Sequence, residues 1–402
     1  MKEETDVLIV GAGLVGLSLA AALTSSKLKV TLLDARAEPV SAGIEAKSSN
    51  GYTLKSGIAA RVSAVNPGSK KFLTRIGAWG RIAPARISTF KKMHVWDGRG
   101  TSHIEFGDTD NSASVLGDIA ENQLIETALI ETLAATGNIR LEWQAKLSEV
   151  IRHEAGYGVQ LDDGRYFNCS LLVGADGGNS RVRELCSIRT IDWSYDQVAL
   201  VTTVETELGH ESVARQCFTK DGPLAFLPLA DEHLCSIVWS VQDATDLMAI
   251  ADKDFCELLT RSFENRLGIV RSTDKRFTFP LAQQHALQYV DSHVALIGDA
   301  AHTIHPLAGQ GANLGFADAR TLAQVLAGAR LEGRSPGDLK LLKQYQHRRR
   351  AENIVMGSVM EAFKQIYSAD NPGINWLRNT SMRFVNNNDL LKSLITRLAA
   401  AG

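Results

Sequence analysis

The spacing of apolar residues divides the chain into recognisable elements. Thr5–Val10 is a short β-branched, apolar run and predicts a strand. Leu17–Ser25, rich in Ala and Leu, predicts a helix, and Lys29–Leu33 predicts a second strand ending at Asp34. Between the first strand and the helix stands Gly11-Ala12-Gly13-Leu14-Val15-Gly16. Strand, glycine turn, helix and strand within about 30 residues make a βαβ unit and imply a parallel sheet. Ala35–Ala60 is polar and glycine-bearing, a loop long enough to be functional or disordered. Asp118–Thr136 carries the helical period in Leu124, Ala128, Leu129 and Leu133. Leu141–Trp143, Gly158–Leu161 and Leu171–Val173 predict strands around the turn Asp162-Asp163-Gly164. A strand-rich middle follows, with Ala199–Glu205 and Leu234–Val241, and then the helical Asp254–Arg266. Val294–Ile297 predicts a buried strand, and from Gly311 onward the pattern is mostly helical. Motifs of the first lobe recur near residues 173 and 298, so that lobe is discontinuous. The expected class is α/β: a Rossmann-like parallel sheet, an inserted strand-rich α+β region and a helical C-terminus.

One stretch of this pattern imitates a membrane segment. Val7–Leu23 is seventeen residues that are apolar or Gly, broken only by Ser18. That reaches the lower edge of a spanning helix and overlaps a signal-peptide core. The preceding Met1-Lys2-Glu3-Glu4-Thr5-Asp6 is acidic and three glycines sit inside the run, which favours the βαβ reading. The 402 residues suggest about two or three lobes. With 45% hydrophobic and 22% charged residues, disorder, collagen and coiled coil are excluded. Lys+Arg 43 against Asp+Glu 45, a net charge of −2, excludes a nucleic-acid binder recognised by bulk charge. Five scattered cysteines without C-x-x-C spacing read as reduced thiols of a cytoplasmic protein.

The glycine spacing has a chemical reason. Gly11 allows a tight turn, Gly13 lets backbone approach a pyrophosphate, and Gly16 lets the helix pack on the strand. The helix N-terminus offers free N–H groups and a positive dipole end to phosphates. Asp34, 18 residues after Gly16, can accept ribose hydroxyls and disfavours a 2′-phosphate. NAD and the adenosine half of FAD both satisfy this site. Two further segments bear on the choice. Leu171–Arg183 reads as a strand, the glycine-flanked Asp176 and a basic helix start that includes Arg183. Ala295–Ala319 holds Gly298-Asp299 after a buried strand and Gly309-Gln310-Gly311 before a helix. Asp299 there either meets hydroxyls or caps the following helix.

Together the three segments resemble the single-component flavoprotein aromatic hydroxylases, over nearly the whole chain. Within that class the sequence is similar to the ubiquinone-biosynthesis hydroxylases of the UbiH/UbiF/VisC type, and most to the VisC branch. Met93-His94-Val95-Trp96-Asp97, Asn265-Arg266-Leu267-Gly268, Val213-Ala214-Arg215-Gln216 and Gly309–Gly315 carry the likeness, with Ala312 where Val is expected. The resemblance implies FAD bound by Gly11, Ala12, Gly13, Leu14, Val15 and Gly16, with Asp34 at the adenosine ribose. It implies that Gly298 and Asp299 take the ribityl and pyrophosphate region, and that Asp176 serves both FAD and pyridine nucleotide. Arg61 and Gln123 match positions that contact FAD phosphates. Pro306, Gly309, Gln310, Gly311, Ala312 and Asn313 complete the flavin side. Residues 1–85, 116–187 and 286–335 would then form the FAD-binding domain. Residues 86–115 and 188–285 would form the substrate domain, and 336–402 a helical C-terminal region.

The implied reaction is reduction of FAD by NAD(P)H, addition of O₂ at flavin C4a, and hydroxylation of a polyprenylphenol ring by the hydroperoxide, with 2-polyprenylphenol going to 2-polyprenyl-6-hydroxyphenol. NAD(P)H would bind transiently, against the loop between residues 35 and 60. His305 either assists phenol deprotonation or fixes its turn by a hydrogen bond. The H-x-x-H of His302 and His305 lacks the further ligands of a zinc site. Phe226, Pro228, Phe279 and Pro280 line the substrate if both F-P-L-type phrases face the flavin, and are sheet core otherwise. Residues 340–402 hold ten Lys/Arg and four Asp/Glu, +6, against −8 for the rest. With Val355, Val359, Phe363 and Ile366, and Leu390, Leu391, Leu394, Ile395 and Leu398, at helical spacing, this reads as a solvated face over a core stripe. The less common alternative for such a pattern is peripheral contact with the inner face of the cell membrane or with an acidic partner in a biosynthetic assembly. Other readings are hydroxylation at another ring position, a halogenase or prenyl reductase, and a non-catalytic flavoprotein scaffold. The six tryptophans never form the W-x-W-x-I-P phrase of the halogenases.

Overall fold

The structure is a computed structural model that describes residues 2–39, 57–98, 103–107, 115–303 and 311–368; for Lys2, 193–196 and 356–368 only the backbone is described. The first strand, Lys2–Val10, sits between two parallel neighbours, Tyr166–Gly174 and Val30–Leu33. Val294–Leu296 and Ile139–Glu142 extend the parallel row on either side. One sheet thus gathers strands from three distant stretches, which makes the lobe discontinuous. Such a sheet needs both faces covered. Helix Leu14–Leu23 covers one and packs in turn on helix Gly311–Leu331. The seventeen-residue apolar run is therefore a buried strand and a buried helix, with Leu8, Ile9, Leu17, Leu19, Ala20 and Leu23 fully enclosed.

The predicted helix over 118–136 starts later than its apolar period suggests. Gly117–Glu121 is a strand, paired with Val62–Val65 and Ser88–Phe90 in a small antiparallel sheet, and the helix is Asn122–Thr136. The pairing consumes the backbone groups of Asp118–Glu121 that a helix would have used.

A nine-stranded sheet forms the middle region among the described residues. Its centre is Thr190–Thr206, flanked by Phe277–Ala286 and Leu234–Val241. Pro223–Pro228, Val213–Phe218, Lys92–Asp97 and His103–Phe106 continue it. Helix Asp252–Ser262 covers one face, over a core of Trp96, Leu224, Phe226, Ile237 and Trp239. The opposite face, with Ala225, Leu227 and Leu229, packs on Ala64, Phe90 and Ile119 of the small sheet. His302–Thr303 pairs with Gln284 and His285, tying the two lobes together. The last described helix, Leu339–Ser368, anchors on the parallel sheet through Tyr345, whose hydroxyl donates to the Leu296 carbonyl at 2.8 Å. No helix among the described residues is long and apolar enough to cross a membrane.

Candidate flavin site

Strand register brings the chain's acidic turns to one edge. Leu33, Val10, Gly174 and Leu296 stand side by side across four strands. The next residues continue the ladder: Gly11 N–H donates to Leu33 O at 2.7 Å, Ala175 N–H to Val10 O at 2.8 Å, and Ile297 N–H to Gly174 O at 2.9 Å. Asp34, the glycine turn, Asp176 and Gly298-Asp299 therefore leave together from the carboxyl edge, where open α/β sheets bind ligands. With strands about 4.8 Å apart, the row from the Asp34 strand to the Asp299 strand spans about 14 Å, a length suited to an extended dinucleotide.

The three glycines divide into two kinds. Gly11 has φ +105°, and a Cβ there would lie 2.3 Å from the Ala175 carbonyl oxygen. A Cβ on Gly16 would lie 1.9 Å from the Gly11 carbonyl oxygen. Both are demanded by the protein's own packing. At Gly13 a Cβ would meet nothing within 4 Å, and no side chain caps the helix that Gly13 begins. That open space before uncapped N–H groups is a cradle for a diphosphate. A Cβ on Gly311 also meets nothing within 4 Å, at the start of helix Gly311–Leu331.

The acids differ in how far the protein already satisfies them. Asp34 is buried and accepts the Ala12 N–H at 2.7 Å and the Arg36 N–H at 2.8 Å. Arg36 also binds Asp34 by its guanidinium and reaches Glu126 at 2.9 Å. Burial raises the Glu126 pKa against the pull of Arg36. Asp176 accepts the Ser180 hydroxyl at 2.5 Å and the Val182 N–H at 3.0 Å, so it fixes the start of helix Arg181–Leu185. Arg183, buried, donates to the carbonyls of Gly178 at 2.6 Å and Ala300 at 2.9 Å and joins the second motif to the third. Asp299 is exposed, and among the described residues its carboxylate takes no hydrogen bond. Protein crowds it enough that desolvation raises its pKa, against the lowering pull of His302 and Arg61. A carboxylate with no hydrogen bond among the described residues at one end, open space before a helix N-terminus in the middle and a buried acid at the other fit FAD.

Several expected residues have other immediate partners. Asn313 is buried; its Nδ2 donates to Ala64 O at 2.8 Å and its Oδ1 accepts the Asn66 N–H at 3.0 Å. Ala312, Leu14 and Val15 are half-buried around it and the glycine turn, while Ala12 is buried. Gln123 lies in the first turn of helix Asn122–Thr136, and Arg61 accepts the Asn122 N–H through its carbonyl at 3.0 Å. The Arg61 guanidinium lies 5.2 Å from the centre of the Phe279 ring. His305, Pro306, Gly309 and Gln310 lie outside the described residues, as does most of the 35–60 loop.

The two F-P-L-type phrases do not share a face. Ala225, Val238, Val201 and Phe277 are cross-strand neighbours, which puts Phe279 on the side of Ala225 and Leu227, toward the small sheet. Phe226 is on the other side and stacks on Phe263, ring centres 3.7 Å apart, beneath helix Asp252–Ser262. Pro228, two residues on in the same strand, shares the Phe226 face and is buried, and Pro280 is exposed on the face opposite Phe279. Phe279 is thus the one of the four directed at the small sheet and Arg61.

Sequence patterning missed Arg36, Glu126, Asp318 and Arg349. Asp318 is fully buried between His302 and Arg349, each 2% exposed at the side chain. Arg349 stands in the run Arg348-Arg349-Arg350, which reads as basic surface, so one charge of the +6 tail is interior.

The FAD binding domain family matches residues 4–358. The 3-demethoxyubiquinol 3-hydroxylase of Escherichia coli K12 is 34% identical over 97% of each chain. The human mitochondrial ubiquinone biosynthesis monooxygenase COQ6 is 32% identical, covering 98% of this chain and 92% of its own. The ubiquinone hydroxylase UbiL of Rhodospirillum rubrum is 33% identical over 98% of this chain and 89% of its own. Among solved structures, p-nitrophenol 4-monooxygenase PnpA from Pseudomonas putida has a TM-score of 0.77 at 18% identity, covering 99% of each chain. Pseudomonas aeruginosa PqsL has 0.76 at 20% identity, covering 95% of this chain and all of its own. At those identities the likeness is one of fold. With the cofactor cradle formed on one sheet edge and the family match spanning most of the sequence, the chain belongs to the FAD binding domain family, as a flavin-dependent monooxygenase.

Proposed function

We propose that this enzyme hydroxylates the ring of a polyprenylphenol intermediate in ubiquinone biosynthesis, using NAD(P)H and O₂, and that it converts 2-polyprenylphenol to 2-polyprenyl-6-hydroxyphenol. The observation that carries the reading is an apolar sheet face beside the Gly298-Asp299 turn: Arg61 lies over Phe279 and pulls electrostatically on Asp299. Ala199, Val201, Val238 and Leu281 pack around Phe279. Such a wall suits a prenylated ring and keeps water from the reacting atoms.

Bound FAD supplies the hydride acceptor and the activation of O₂. The chain's residues hold and orient it. The turn at Gly13 takes the diphosphate, Asp34 the adenosine ribose, and Asp299 the ribityl hydroxyls. The positive end of helix Gly311–Leu331 favours negative charge on the nearby ring system. A different ring position is favoured by one specific likeness, that to the E. coli 3-demethoxyubiquinol 3-hydroxylase. We extend the proposal to peripheral membrane contact through the basic C-terminal region, of which residues 369–402 lie outside the described residues. Ile354 and Val355, exposed on the last helix, support it.

The test uses purified, FAD-loaded protein. Oxidation of NAD(P)H should quicken with 2-polyprenylphenol and yield a product one oxygen heavier. Oxidation indifferent to any phenolic lipid would leave a flavoprotein scaffold instead. The quinone precursor accumulating in a strain lacking the gene, with its substituents located by fragmentation, decides the ring position.

A further inference from the structure

A closed set of charges lies directly beneath the Gly298-Asp299 turn. Asp318 Oδ2 accepts the Gly298 N–H at 2.9 Å and the His302 Nε2–H at 2.6 Å. Its other oxygen accepts Arg349 Nε at 2.7 Å. Arg349 also donates to Asn353 Oδ1 at 2.9 Å and to Glu352. Gly298 and His302 bracket Asp299, so both ends of the segment carrying the unmet carboxylate are tied to one oxygen atom. Gly298 has φ +59°, a left-handed conformation that glycine adopts freely and a side chain would resist.

We propose that Asp318 is a positioning residue for the flavin, and that Arg349 makes the C-terminal helix Leu339–Ser368 part of the cofactor site. A carboxylate buried in this way is costly unless fully paired, and apolar packing of the same volume would serve stability as well. What the charge adds is direction. One oxygen faces the backbone of the flavin turn, the other faces the helix, and Arg349 holds the carboxylate between them. The inference rests on the flavin-binding reading of the Gly298-Asp299 turn.

The experiment titrates FAD into the full-length apoprotein, following quenching of flavin fluorescence and the visible flavin spectrum, at a temperature where circular dichroism shows each variant folded. Asp299→Ala tests the turn itself. Arg349→Met removes the arginine from one oxygen of the buried carboxylate while Gly298 and His302 still hold the other, and Asp318→Asn turns a donor toward a donor in either amide orientation. Each should weaken FAD binding roughly tenfold, the scale of coupling within one hydrogen-bond network. The double variant Arg349→Met/Asp318→Asn removes both faults, since the amide oxygen can face Gly298 and His302 with no arginine behind it. It should regain affinity and the parental spectrum, which a loss of mere stability would not predict. If Asp299→Ala binds FAD normally, the reading of the turn fails. If Asp299→Ala weakens binding while Arg349→Met stays within about twofold of the parent, the positioning role is overturned. Should Arg349→Met not fold, folded Asp318→Asn with unchanged affinity overturns it equally.

Discussion

Asn313 is joined to Ala64: its amide donates to the Ala64 carbonyl at 2.8 Å while accepting the Asn66 N–H at 3.0 Å. The residues are 249 apart in sequence, and the pair fixes the start of helix Gly311–Leu331 against the strand that follows Arg61. Asn313→Ala leaves a buried carbonyl and a buried N–H unmet, at about 1–3 kcal/mol for each. Thermal unfolding should fall accordingly. FAD affinity should fall beyond it, because two walls of the site lose their common anchor. Equal loss in the apoprotein and holoprotein would refute the second part.

The glycine turn offers a separation of structural from ligand roles. Gly11→Ala and Gly16→Ala force a Cβ onto backbone oxygen at 2.3 and 1.9 Å. Both should destabilise the apoprotein by roughly 1–3 kcal/mol or more, as overpacking does. Gly13→Ala has room and an ordinary φ of −81°, so the apoprotein should melt close to the parent while FAD binding drops. Calorimetry of apoproteins with a parallel FAD titration reads both effects. Normal FAD binding by Gly13→Ala would move the diphosphate elsewhere.

Acid should destabilise the protein in two windows. Burial by itself would raise the Asp318 pKa, but His302 and Arg349 outweigh it and hold the carboxyl at about 2, below the roughly 3.9 of an unfolded chain. Its stabilisation is therefore present above about pH 4 and is lost as pH falls through about 2, on the order of 2–3 kcal/mol. His285 is pushed down to about 4, by burial first and then by His302 and Arg350. Unfolded histidine titrates near 6.5, so that contribution is present above about pH 6.5 and is lost as pH falls toward 4. Urea unfolding across pH should show Asp318→Asn flattening the lower window and His285→Gln the upper one.

Much of this was readable from sequence because it is local. The strand Leu234–Val241 has the predicted bounds, and the glycine turn announces itself by spacing. What was hidden depends on partners far along the chain. Asp118–Glu121 pairs as strand, and Glu121 accepts the Ala59 N–H at 2.7 Å and Arg86 Nε at 2.8 Å, neither of which a local period can show. Arg349 is chemically identical to its neighbours Arg348 and Arg350, and only the arrival of Asp318 makes it interior. The two F-P-L-type phrases read alike because a phrase does not carry its phase relative to the sheet, and a shift of one residue exchanges faces.

The charge asymmetry makes a prediction about location. If the basic C-terminal region holds the enzyme at an anionic surface, deleting Asn386–Gly402 should reduce co-sedimentation with anionic lipid vesicles and leave FAD bound. Raising the salt should have the same effect on the full-length protein. Sedimentation unchanged by deletion would remove the membrane contact from that segment.

The opposed faces of the central sheet give the sharpest test of where substrate sits. Phe226→Ala empties a site stacked on Phe263 in a dry core and should cost about 3–5 kcal/mol of stability. In protein that remains folded, its KM for the phenol should change little, since the side chain points toward helix Asp252–Ser262. Phe279→Ala removes a half-buried ring beside Arg61 and should spare most of the stability. On the proposed substrate placement, its KM for a prenylated phenol should rise and NAD(P)H oxidation should become less coupled to product, because the apolar wall around Phe279 is opened to water. Unfolding curves and the ratio of hydroxylated product to NAD(P)H consumed distinguish the two. An uncoupled Phe226→Ala alongside a normal Phe279→Ala would place the substrate on the helix side of the sheet and reverse the assignment.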